Sequence, residues 1–471
     1  MNPIQTDIVV VGAGPGGYVA AFCAADKGKK VILVEQEKKL GGVCLHRGCI
    51  PSKALLYATK MIHEAESSSA RGIQFSKPTV QLDKLRAWKD AIVDKLSQGV
   101  SGGGQRRGVT VLTGRGLFED SQTLRVETPE GQKFIRYQKA IIAVGSKPAM
   151  PKAFDLGNPR VMTSTEALEL QDIPKNLLIV GGGYIGMELG TVYAALGSKV
   201  VLVEALDSIL AGADADLSRY VMKYAEKNFS AVRLNTKVSK MSTSGKEIKV
   251  NMEFDGKKLE ESYDRVLVSV GRASNTEDLG LKNTKVTVDE KGFIKVNTRL
   301  ETSDPWILAI GDAVGGLMLA HKATKEARIA VETICGGSDV FENVVIPAVV
   351  FTEPEVAWCG LTESEARQKG IEIKVSRFPW GASGRALSTD RAEGMTKLIL
   401  EPETDRILGV GIAGIGAGDL ISEGVLAVEM GATAMDLAQT VHPHPTLSET
   451  LMEAAEAFYG HSTHIYAPKK P

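Results

Sequence analysis

Two stretches of the chain, 169 residues apart, carry one pattern. The first reads "DIVVVGAGPGGYVAAFCAADKGKKVILVEQ" and the second "NLLIVGGGYIGMELGTVYAALGSKVVLVEA". Each is a β-branched run, a G-x-G-x-x-G turn, a helical pattern and a second apolar run ending in Glu. Gly12, Gly14, Gly17 and Glu35 in the first copy become Gly181, Gly183, Gly186 and Glu204 in the second. A lone G-x-G-x-x-G carries little weight. Two copies, each between strand and helix and each with an acid 18 residues after the last glycine, are specific. The first glycine permits the tight turn, the second lets the backbone approach a pyrophosphate, and the third lets helix pack on strand. A pyrophosphate then meets the free N–H groups and positive dipole of the helix N-terminus, and the acid accepts ribose hydroxyls. The pattern predicts an α/β fold with two Rossmann-like domains and two bound dinucleotides. No Arg follows Glu204 until Arg219, so a 2′-phosphate would meet a carboxylate and no guanidinium. The second site therefore favours NAD over NADP.

With 471 residues the chain exceeds one ordinary core. A hydrophobic fraction of 43% with 24% charged residues is that of a soluble globular protein. A net charge of −1 gives no pull toward nucleic acid or anionic membranes, and no apolar run approaches a membrane span. The start "MNPIQTD" runs directly into "IVVVG", which implies a protein that works where it is made, in the cytoplasm, or one whose leader has been removed.

The five cysteines argue against a secreted disulfide framework. Cys23, Cys335 and Cys359 stand apart and read as small hydrophobes. Cys44 and Cys49 form a local pair in "GGVCLHRGCIPSK", residues 41–53. Such a pair is redox-active, metal-binding or inert on a helix. Metal is the weaker option, because no second Cys or His pair has zinc-site spacing. Near the C-terminus "HPHPTLSE" offers His444 and His442 as bases and Glu449 as an orienting carboxylate. Thr446-x-x-Glu449 is equally a helix capping box.

Both fingerprints, "GGVCLHRGCIPSK", "AIGDAVGGLMLAHKA" and "HPHPTLSE", in that order, resemble the pyridine nucleotide–disulphide oxidoreductases over nearly the whole chain. The resemblance implies an FAD-binding domain over residues 1–147, an NAD-binding domain over 148–274, a central domain over 275–345 completing the FAD site, and a C-terminal α+β dimerisation domain over 346–471. It implies FAD neighbours Glu35, Gly42, Lys53, Gly114, Gly145, Asp312 and the run Met318, Leu319, Ala320, His321, beside Gly12, Gly14 and Gly17. It places Tyr184, Ile185, Glu188, Val238 and Gly271 with the second fingerprint at the NAD site.

The resemblance also gives the thiols their roles. Cys44 matches the exchange thiol that meets substrate, Cys49 the thiol beside the flavin, Lys53 and Glu188 a pair at the flavin's reactive edge, and His444–Glu449 the base. A regular helix would hold the Cys44 and Cys49 Cα atoms about 8.6 Å apart, whereas a disulfide needs roughly 4.4–6.8 Å. The backbone between them must therefore be distorted, and Gly48 is where it can yield. Within the family, the motif set implies reoxidation of dihydrolipoyl groups by NAD. The implied partners are a second copy of the chain and the lipoyl domains of a 2-oxo-acid dehydrogenase complex or the glycine cleavage system. A reductase working on glutathione, mercuric ion or thioredoxin would lack the NAD-type Glu204, a transhydrogenase would not need the thiols, and a catalytically silent subunit would not keep all four site residues. Three stretches depart from the family pattern: "AVGS", "GRASN" and "GIAGIGAGDL".

Overall fold

The computed structural model describes residues 3–466; Met1, Asn2 and residues 467–471 of the "STHIYAPKKP" tail lie outside the described residues. The first repeat copy builds a parallel sheet. Ile4–Val11 lies between Val31–Glu35 and the end of Gly131–Ile142, with Thr110–Thr113 outside the former and Ile307–Ala309 outside the latter. Helices cover both faces of such a sheet, so its strands are apolar without alternation. Val31–Glu35 is accordingly buried at every position. Ile307–Ala309, late in the chain, thus completes the first sheet and delivers the following Gly311–Val314 turn to its edge.

The second copy repeats the architecture. Asn176–Val180 pairs in parallel with Lys199–Val203 on one side and Arg265–Val268 on the other. Ala231–Arg233 and Val161–Met162 close the edges, and a three-stranded antiparallel sheet, Lys237–Ser244 to Lys257–Tyr263, lies against it. The C-terminal part is a five-stranded antiparallel sheet packed with helices Ala417–Glu429 and Glu449–Phe458.

All of the glycine-rich "SQGVSGGGQRRG" but its last two residues falls inside the 25-residue helix Leu82–Arg106. Gly103 and Gly104 lie on the Phe22 ring, where an added Cβ would come within 3.2 Å, so their small size is a packing requirement. The expectation for the outlying cysteines holds for buried Cys359 and fails for Cys335, which is exposed at the end of helix Ala320–Ile334.

One buried cluster joins the second sheet's domain to the C-terminal sheet. The Lys397 side chain is 1% exposed and its Nζ lies 2.6 Å from Asp214, 2.8 Å from Asp216 and 2.9 Å from Glu363. Arg377 adds a second cation against Asp216 and Glu363. The carboxylates stand close enough to hold a metal ion, and the ammonium fills their centre instead. No helix among the described residues is long and apolar enough to cross a membrane.

Candidate active site

The two glycine turns are superimposable in their chemistry. Gly14 and Gly183 precede helices Pro15–Asp26 and Tyr184–Ala195 with nearly the same backbone angles, φ −70° and ψ −176° against φ −71° and ψ 179°. Neither helix has a side-chain cap, so the first N–H groups are left for a ligand. The third glycines are packed tight: a Cβ on Gly17 would lie 1.8 Å from the Gly12 oxygen, and one on Gly186 2.0 Å from the Gly181 oxygen. The middle glycines face open space, with nothing nearer than 4.0 Å at Gly14 and nothing within 4 Å at Gly183. That empty cradle is what a pyrophosphate requires.

Glu35 and Glu204 repeat each other to the hydrogen bond. Glu35 accepts from Ala13 N–H at 2.7 Å and Glu37 N–H at 3.0 Å. Glu204 accepts from the equivalent Gly182 N–H at 2.6 Å and Leu206 N–H at 2.9 Å. Each carboxylate ties the glycine turn to the loop after the second strand, and each oxygen keeps a lone pair for a hydroxyl.

A cavity of about 550 Å³ opens from the first turn. It is lined by Gly12, Gly14, Glu35, Gly42, Gly114, Gly145, Asp312, Met318 and Ala320, together with Cys44, Cys49, Lys53, Tyr184, Ile185 and Glu188. Leu319 and His321 do not line it; Leu319 precedes the helix Ala320–Ile334, and His321 Nε2 lies 2.7 Å from the Pro347 carbonyl. Gly17 lies behind the turn. Gly181, Gly183, Gly186, Glu204, Val238 and Gly271 belong to the second turn and its surroundings, outside this cavity. Among the lining residues that sequence reasoning missed are Ser146 and Arg272. Arg272 donates to the Ser146 hydroxyl at 2.7 Å and the Ser146 carbonyl at 2.8 Å, and Ser146 in turn donates to Asp312. Ser146 stands in the "AVGS" stretch and Arg272 in "GRASN", yet nothing local announces a pairing across 126 residues. Ser274, also in "GRASN", is buried with no partner for its hydroxyl.

The thiols sit at a broken helix. Gly42–Arg47 ends at Gly48 and a new helix, Cys49–Ser67, begins at once. A Cβ on Gly48 would press to 3.0 Å of the Val43 oxygen, so only glycine fits the break comfortably. The break brings the Cys44 and Cys49 sulfurs to 2.6 Å as two thiols. Cys49 is lowered to about 7, first by the Cys44 hydrogen bond and then, against burial, by the Lys53 ammonium. Donation to Cys49 and burial push Cys44 upward. Cys49 is thus the thiolate of the pair.

Lys53 Nζ bonds both Glu188 oxygens, at 3.0 and 2.8 Å. Glu188 also accepts the Phe351 N–H at 3.0 Å, and the Phe351 ring lies under the ammonium at 4.5 Å. The pair therefore links the first helix after the thiols, the second fingerprint helix and the C-terminal sheet.

His444 and Glu449 meet as a pair. His444 Nδ1 lies 2.9 Å from Glu449 Oε1, while Oε2 accepts the Thr446 N–H at 2.7 Å. Glu449 thus serves both readings, since half of the capping box forms. The other half does not, because the helix starts at Glu449 and the Thr446 hydroxyl turns to Pro443 and Ser448. Burial works against the Glu449 carboxylate, but the Thr446 N–H and His444 hold it below its usual range. A proton on Nδ1, shared with Glu449, would leave Nε2 as an acceptor. His442 is committed elsewhere, its Nε2 2.6 Å from Glu423. The His444 side chain is 72% exposed, and no described residue beyond Ala323 lines the thiol cavity.

Two dinucleotide turns and a half-buried thiol pair define a flavin- and nicotinamide-linked disulfide oxidoreductase. Comparison with known proteins gives the same class. Residues 6–327 match the pyridine nucleotide–disulphide oxidoreductase model, and residues 346–455 match that family's dimerisation domain. The chain belongs to the pyridine nucleotide–disulphide oxidoreductase family, and it is an oxidoreductase that uses FAD and NAD. A dihydrolipoyl dehydrogenase of Haemophilus influenzae is 46% identical, over 98% of this chain and 97% of that protein. Dihydrolipoyl dehydrogenases of Thermus scotoductus and Bacillus subtilis are 45% and 43% identical, each match covering 98% of both chains. Among solved structures, LpdA of Mycobacterium tuberculosis matches with TM-score 0.89 at 25% identity, over 96% of this chain and 99% of that one. The HOCl-induced flavoprotein disulfide reductase RclA of Escherichia coli, as its Cu(II) complex, matches with TM-score 0.86 at 27% identity, over 97% of this chain and 100% of that one.

Proposed function

We propose that this chain oxidises protein-bound dihydrolipoamide to lipoamide and passes the electrons to NAD, with the residue roles that follow. The observation that carries the reading is the helix break at Gly48, which sets Cys49 as a thiolate beside Lys53 and brings Cys44 against it on the cavity wall. His444 Nε2 takes the proton of one dihydrolipoyl thiol. The resulting thiolate attacks Cys44 Sγ of the oxidised pair, and Cys49 leaves as a thiolate stabilised by Lys53. The second substrate thiol then passes its proton to the departing Cys44 thiolate and closes lipoamide, while His444 keeps the first proton. Bound FAD supplies the two-electron acceptor between the thiols and NAD. Asp312, fixed by Ser146 and Arg272, and the Gly14 and Gly183 cradles hold the two dinucleotides. Tyr184, whose phenol burial pushes up to about 12, lines the same cavity as a protonated hydroxyl.

The exposed His444, and a cavity lined by no described residue beyond Ala323, support a homodimer in which each chain's His444–Glu449 pair completes the other's thiol site. Lipoyl domains of a 2-oxo-acid dehydrogenase complex or of the glycine cleavage system are the proposed partners, supported by the named activity of the relatives. Their bacterial sources support a cytoplasmic location. The reading is tested by NADH formation from NAD and dihydrolipoamide, set beside glutathione-disulfide reduction with NADPH. Turnover in the first assay and not the second is expected; the reverse contradicts it.

A further inference from the structure

A second histidine–carboxylate pair stands one turn along the same helix as Glu449. Glu453 follows Glu449 by four residues on Glu449–Phe458, so the two carboxylates share a face. The surrounding face is apolar (Leu451, Ala454 and Ala455 are buried), yet the Glu453 side chain is only 5% exposed. After Gly460 the chain folds back along the helix, the His461 N–H returning to the Glu456 carbonyl at 3.0 Å. This return brings the Ser462 hydroxyl to Glu453 at 2.6 Å and the His464 Nδ1 to the other Glu453 oxygen. A buried carboxylate is costly unless paired, and the mechanism above makes no use of this one.

We propose that Glu453 and His464 are positioning residues for the reaction: a charge-compensated pair that sets the ionisation of the His444–Glu449 base. The inference rests on the reading of His444 as the base. While His464 is protonated the pair is neutral, and Glu449 acts alone on His444. When His464 loses its proton, Glu453 remains as a negative charge beside Glu449 and favours the imidazolium of His444. Hydrogen bonding and attraction from Glu453 raise the His464 ring above its ordinary range, and Glu449 and Glu456 act in the same direction. The other charged groups nearby are engaged elsewhere. Lys374, on the strand under the helix, turns to the Phe458 ring and Asp405; Asp436, on the adjoining helix Ala434–Gln439, caps its own N-terminus; His442 pairs with Glu423. His461 faces Glu456.

The acid-side limb of kcat/KM for dihydrolipoamide oxidation reads the ionisation of the base. His464→Gln removes a positive charge, so the limb should move up by about half a pH unit. Glu453→Gln removes a negative charge, so the limb should move down by a similar amount. His464→Lys keeps the pair neutral at every pH and should leave the limb near the wild-type position, which separates charge from the anchoring of the tail. Opposite shifts for the two Gln variants support the proposal. No shift, shifts of one sign, or His464→Lys behaving as His464→Gln overturns it. His444→Gln is the companion control. If that variant keeps turnover with its acid limb in place, the assignment of the base fails, a result distinct from failure of the Glu453–His464 proposal.

Discussion

Glu188 grips Lys53 with both carboxylate oxygens across 135 residues of chain, and the ammonium so held is the one positive charge that lowers the Cys49 thiol. Its removal makes the first prediction. Lys53→Met deprives the Cys49 thiolate of its counter-charge, leaving the Cys44 and backbone hydrogen bonds against burial. The thiolate should then form about one pH unit higher or more. The measurement is the long-wavelength absorbance of the reduced enzyme against pH, which arises from a thiolate against the flavin. An unchanged midpoint would detach Lys53 from the thiols.

Coenzyme choice is the second. Glu204 is held by the Gly182 and Leu206 N–H groups, no Arg follows it in sequence until Arg219, and the guanidinium of neighbouring Arg233 is held by Glu261. NAD should be preferred over NADP by about tenfold or more in kcat/KM, a difference of about 1.4 kcal/mol. Glu204→Arg should narrow that preference by removing repulsion and adding a phosphate partner. Its NAD turnover should also fall, because the glycine turn loses its tether. Equal use of both coenzymes by the unaltered protein would contradict the reading.

These two sites show where the sequence spoke clearly. The 169-residue repeat survives in the structure down to matched hydrogen bonds on Glu35 and Glu204, because the pattern is local: strand, turn and helix each follow from neighbouring residues. The break at Gly48 was equally legible, since helix geometry alone forbids two cysteines five apart from meeting. What the sequence withheld is non-local. Ser146, Arg272 and Asp312 come from three distant segments and meet only because Ile307–Ala309 joins the first sheet. Phe351 reaches Glu188 across 163 residues with no motif to mark it. Leu319 and His321, adjacent to lining residues, turn away because the helix starting at Ala320 rotates them out of the cavity. Glu449 was posed as base partner or helix cap, and the fold divides its two oxygens between the roles.

The third prediction concerns the clamp between domains. Lys397→Met strips the ammonium from Asp214, Asp216 and Glu363; Arg377 remains against the last two, and buried Asp214 is left without a cation. Breaking such a pair costs about 3 kcal/mol or more, read as a lower denaturant midpoint. In the unaltered protein Asp214 is held below its ordinary range by Lys397 and by the Glu363 and Ser364 N–H groups, although burial opposes them. A depressed carboxyl contributes stability that is fully present above the unfolded value of about 3.9 and is lost as pH falls through its lower folded value. The acid loss attributable to Asp214 should therefore begin below about pH 4 and be smaller in Lys397→Met. A variant with unchanged midpoint and acid profile would show that the cluster is inert.

The central claim is that two chains build one site, with the thiols from one and the His444–Glu449 base from the other. Cys44→Ala and His444→Gln chains, each inactive alone, can be unfolded together and refolded as a mixture. If the base acts across the interface, every mixed dimer holds one site with an intact Cys44 and an intact His444, and dihydrolipoamide turnover returns. A preparation demonstrated to contain mixed dimers that remains inactive would contradict the account.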